Sequence, residues 1–74
     1  MSINETIKEM IKEEGRTQVW VANEMNKWDK SIKMTNVKFS AIITGNRAIN
    51  AAELIAFCKA IGRSPEEFMS AAQK

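Results

Sequence analysis

The chain contains no histidine and only one cysteine, Cys58. Lack of histidine excludes a Cys–His pair, a Ser–His–Asp triad and a zinc-ligand set, and one cysteine cannot close an internal disulfide. An enzyme is therefore not expected, nor a metal or cofactor, and nothing implies a small-molecule ligand. Cys58 stands among Phe57, Ala60 and Ile61 and reads as a small core residue, not a nucleophile. No apolar run approaches the roughly 18 residues of a membrane span, and no signal-peptide pattern opens the chain. A soluble, cytoplasmic protein without a membrane partner is expected. No stretch alternates apolar and polar residues in the manner of a strand.

What is present points to one small all-α domain covering residues 1–74, with 45% apolar residues to supply a core. The net charge of +2 is small, but its distribution is uneven. Residues 27–47 carry five cations (Lys27, Lys30, Lys33, Lys38, Arg47) against Asp29 alone. Residues 1–26 carry three cations against five carboxylates, and residues 48–74 balance. A basic patch of this kind favours a polyanion, with chance clustering in a short chain as the alternative.

In chain order, Ser2 and Glu5 form a capping-box pattern ahead of a stripe of Ile3, Ile7, Met10 and Ile11, and Gly15 ends this first helix. Its charged face is expected to be solvated. Thr17 caps a second helix, on which Val21, Met25, Trp28 and Ile32 keep one face apolar. This helix can run to about Lys30, or gain one turn past Met25 and pass into a longer loop. Trp28 is expected as a core or partly buried packing residue, with a stacking platform for a nucleobase as the alternative. Thr35 caps a third helix over about Asn36 to Thr44, and Gly45 ends it. Asn50 and Glu53 begin a fourth, with Leu54, Ile55, Phe57, Cys58 and Ile61 as its apolar face and Gly62 as its end. Ser64-Pro65-Glu66-Glu67 opens a fifth: a cap, proline at the first position and glutamate three residues after the cap.

The third helix and its flanks, TNVKFSAIITGNR, carry the main functional signal. Phe39 and Ile42 lie one turn apart and can be buried. Asn36, Lys38, Ala41 and Thr44 then face elsewhere, a front of amide, basic and small residues suited to the DNA major groove. A short surface helix with a solvated face is the alternative. Lys27, Lys30 and Lys33 flank this helix, and lysine is a flexible point charge suited to phosphate.

The order and spacing of these features resemble the lambda-repressor-like helix-turn-helix family of Cro/cI or XRE type. The resemblance rests on Thr17-Gln18, Val21-Ala22 and Met25, then Thr35, Phe39, Ile42 and Gly45-Asn46-Arg47. It continues through Asn50, Leu54, Phe57-Cys58, Ala60, Ile61-Gly62 and Ser64-Pro65-Glu66-Glu67-Phe68, so it spans about Ile3 to Met69. Ala22 and Gly45 lie 23 positions apart, about seven more than is usual in the family and close to two helical turns. Ile43 and Arg63 also depart from its pattern. The resemblance implies a compact five-helix DNA-binding domain with a lengthened helix 2–helix 3 connection, acting as a sequence-specific transcriptional regulator. Carried over by position, Asn36, Val37, Lys38 and Ala41 would face the bases. Gln18, Thr35, Asn46 and Arg47, with Lys27, Lys30 and Lys33, would meet the backbone. Asn can pair with adenine, Lys with guanine, and Val37 can meet a thymine methyl. The implied partners are double-stranded DNA and a second copy of the chain; pairing is expected through the exposed side of helix 5 with Phe68 and Met69, the alternative being that these two, Phe68 above all, cap the monomer core. The alternative is a protein-interaction module on the same fold, such as an antitoxin or phage accessory factor.

Overall fold

The computed structural model describes residues 2–73, and the apolar spacing becomes five α-helices, with no strand among the described residues. They are α1 (Ile3–Glu14), α2 (Gln18–Trp28), α3 (Asn36–Ile43), α4 (Ala51–Ile61) and α5 (Pro65–Ala72), with a 3-10 turn (Lys30–Ile32) between α2 and α3. Each helix begins the same way. Ser2, Thr17, Thr35, Asn50 and Ser64 each accept, through a side-chain oxygen, the backbone N–H three residues on. A cap of this kind contributes about 1 kcal/mol. At Asn50 the Glu53 carboxylate returns the bond and completes the capping box. At Ser2 the hydroxyl also donates to Asn4 Oδ1 (2.8 Å).

The core is a single cluster to which every helix contributes. α2 packs most extensively against α4, and α1 lies across α3, α4 and α5. Phe39 of α3, Phe57 of α4 and Phe68 of α5 form a row of fully buried rings, with centroids 6.2 and 6.0 Å apart. The whole occupies 30 × 24 × 24 Å.

Several residues depart from their expected faces. Ile3 and Ile55 are exposed, and their places in the core go to Thr6 and Ala56. Thr6 is tolerated there because its hydroxyl donates to the Ser2 carbonyl (2.8 Å). Trp28, expected in or near the core, is 57% exposed. It lies on the surface of α4, with the Lys59 ammonium 5.6 Å from its ring centroid. The charged face of α1 is not simply solvated either. Arg63 reaches back to Glu13 and Glu14, at 3.2 and 3.0 Å. The bond that it donates to the Glu14 carboxylate is the main reason that the Arg63 guanidinium is held more firmly protonated than usual.

The lengthened connection takes the shorter of the two courses open to it. α2 gains one turn past Met25 and ends at Asp29, whose backbone is extended (φ −148°, ψ 99°). The Asp29 carboxylate then caps the 3-10 turn by accepting from the Ser31 N–H and hydroxyl. Ile32 therefore enters the core from this turn and not from α2. Lys33 closes it at φ 48°, a left-handed conformation that costs a lysine about 1 kcal/mol or more. The return is fixed by Asn26, whose amide donates to the Met34 carbonyl and accepts the Met34 N–H, both at 2.7 Å. Met34 beside it is buried.

Asn26→Ala removes both of these bonds and leaves two part-buried backbone groups unsatisfied, at a cost of about 1–3 kcal/mol. Lys30→Ala, on the exposed rim of the same segment, changes stability by less than about 0.5 kcal/mol. Urea unfolding midpoints compare the two, and equal midpoints would show that the clamp contributes nothing.

Candidate nucleic-acid interface

α3 has only eight residues, and isolated helices of that length are unstable in water. It is helical because Phe39 and Ile42 are fully buried and Thr35 caps it. Turning about 100° per residue, the helix then presents a second stripe away from the core. Asn36, Val37, Ser40, Ala41 and Thr44 line one open, shallow surface, joined by Gln18 from the start of α2 and Asn46 from the following loop. Val37 is 81% exposed at its centre. At the far end the Thr44 hydroxyl donates to the Ser40 carbonyl (3.0 Å) and accepts from the Asn46 amide (3.3 Å). Asn36, Val37, Ala41, Gln18 and Asn46 thus lie together on one surface. Ser40 joins them unexpectedly. It lies one turn after Asn36, so the helical period applied from Phe39 and Ile42 is the signal that finds it.

Lys38 does not lie on this surface. It sits roughly 130° around the helix from the middle of the stripe, on the side facing the lengthened connection. Its ammonium donates to the carbonyls of Ile32 (3.4 Å) and Lys33 (3.3 Å). Arg47 is also engaged within the chain. Its guanidinium makes two parallel bonds to the Glu53 carboxylate, both 3.0 Å. Glu53 is buried and also accepts the Asn50 N–H (3.1 Å). Burial pushes the Glu53 carboxyl up. The bonds from Arg47 and Asn50, with the charges of Arg47 and Lys38, outweigh that push and hold it below its ordinary 4.5.

The remaining expected backbone contacts divide. Lys27 pairs with Glu24 at 2.9 Å, a solvated contact one turn back. Lys30 and Lys33 are exposed and have no carboxylate partner among the described residues. The Thr35 hydroxyl is taken as acceptor by the α3 cap. No carboxylate occurs between Asp29 and Glu53, and Arg47 neutralises the latter. No charged residue lines the front of α3.

On helix 5, Phe68 is wholly buried and cannot pair two copies, which leaves Met69 exposed there. Comparison of the chain with protein-family profiles, curated proteins and solved structures finds no match.

Arg47→Ala strands a buried carboxylate, so at pH 7 it destabilises the fold by about 1.5–3 kcal/mol. Because the folded-state Glu53 pKa is lowered, the stability it brings is present above 4.5 and fades as pH falls below that value. The gap between wild type and Arg47→Ala therefore narrows in acid. Urea unfolding at pH 7 and pH 3 measures it, and an unchanged gap would refute the pairing.

Proposed function

We propose that this chain is a sequence-specific duplex-DNA-binding transcriptional regulator of the lambda-repressor-like helix-turn-helix kind. α3 enters the major groove, and α2 packs behind it with Gln18 toward the backbone. The observation that carries this reading is the α3 front. An exposed stripe of amide, hydroxyl and methyl groups on a short, well-backed helix is continuous with the start of α2 and the α3–α4 loop. Its uncharged groups can meet base edges, and the exposed Lys30 and Lys33 of the α2–α3 connection can meet phosphates. Binding as a homodimer on a two-fold-related site fits a front this small, because two half-sites recover affinity and specificity. The exposure of Val37 on a neutral front also suits a protein partner, so the interaction-module reading remains the competitor.

Titration of the protein with duplex DNA across a salt series separates the two. A DNA-binding protein loses affinity linearly in log salt, by about 0.9 in slope for each phosphate contacted. Replacing Lys30 and Lys33 together by glutamine flattens the slope by roughly 2, with site preference unchanged and the helical circular dichroism intact. Absence of duplex binding at low salt decides for the protein partner. Sedimentation at tens of micromolar, and the symmetry of bound sites, test the dimer.

A further inference from the structure

We infer that α3 reads A·T base pairs and not guanine, an inference that rests on the DNA-binding reading above. In the major groove guanine presents two acceptors, N7 and O6, and is read by a bidentate arginine or a lysine. Adenine presents an acceptor beside a donor, the pattern complementary to an asparagine or glutamine amide. Thymine presents a methyl group, which is read by apolar contact. The amide of Asn36 and the methyl groups of the α3 front match the second and third of these, while the hydroxyls of Ser40 and Thr44 favour neither purine.

The cations that could have supplied a guanine reader are directed elsewhere, Arg16 among them, with its guanidinium 4.2 Å from the Trp20 ring centroid. The Lys38 ammonium is turned onto the Ile32 and Lys33 carbonyls, on the side of α3 away from its exposed stripe. The Arg47 guanidinium is held by both oxygens of the buried Glu53 carboxylate. Lys30 and Lys33 precede the Thr35 cap, outside α3. What remains on the front is neutral. Asn36, in the first turn of α3, offers an exposed amide that forms no other side-chain bond among the described residues. Val37 and Ala41 offer methyl groups on the same open surface. Asn36 is thus the adenine reader, and Val37 the residue that meets a thymine methyl. Lys38 acts as a positioning residue, since its ammonium ties the lengthened connection to the side of α3.

Selection of bound sites from a random duplex library, followed by base substitution in the selected site, tests this. The half-site under α3 should be enriched in A·T pairs. Asn36→Ala should relax the preference for one adenine by roughly 5- to 150-fold. Replacing the contacted thymine by deoxyuridine, which lacks the methyl, should weaken wild type about 4-fold. The same replacement should leave Val37→Ala unaffected. Val37 is too exposed for its truncation to disturb the core. Lys38→Gln should weaken binding to all sequences alike. A half-site rich in G·C pairs, a guanine preference that Lys38→Gln removes, or indifference to deoxyuridine overturns the inference and leaves DNA binding standing. Retention of duplex with no enriched sequence overturns both this inference and sequence-specific regulation, and no retention at all overturns the DNA-binding reading itself.

Discussion

The row of three phenylalanine rings is the constraint on which the rest of the structure depends. Phe57 stands in the middle, touching Phe39 on α3 and Phe68 on α5, while α4 around it packs against α2. Burying one such ring contributes about 1.5–3 kcal/mol, and an aromatic pair about 0.5–1.5 kcal/mol more. For helices of eight residues, α3 and α5, these terms decide whether the helix exists at all. The exposed stripe of α3 is thus set by its buried one: Phe39 fixes the rotation of the helix, and rotation determines which side chains look outward.

A second layer of order comes from polar stitches that each consume a group with another possible use. Asn26 gives its amide to Met34 and fixes the return of the chain into α3. Lys38 gives its ammonium to two carbonyls at the end of the 3-10 turn. Arg47 gives its guanidinium to Glu53, whose carboxylate in turn caps α4. Burial of Glu53 is tolerable only because its oxygens are fully engaged. The outcome is a surface with fewer free cations than the sequence contains; Lys8, Lys12, Lys30 and Lys33 are among those exposed without a carboxylate partner among the described residues.

The five helix starts were legible in the sequence because capping is local: an oxygen meets an N–H three residues away, whatever the remainder of the chain does. The alternation of Phe39 and Ile42 with outward residues was legible for the same reason. Long-range partners were not. Nothing near Arg63 in sequence indicates Glu13 or Glu14, and nothing near Asn26 indicates Met34. Trp28 is exposed although it belongs to α2, and Ile32 reaches the core from the 3-10 turn. Lys38 was assigned to the front by chemistry, although its register places it on the flank. Five helices were legible from the caps and the apolar spacing; the family and the DNA contacts rest on the proposals above.

The solitary thiol has a consequence of its own. Cys58 is fully buried beside the central ring. Burial, helped by the charge of Glu67, pushes its pKa up, so little thiolate is available even if a reagent could reach it. The sulfur becomes reactive only when α4 leaves the core. Its rate of alkylation is therefore a built-in gauge of how often the fold opens, readable on the unmodified chain and without denaturant. The same seclusion means that two folded copies cannot be joined through this sulfur, so any assembly they form must be noncovalent.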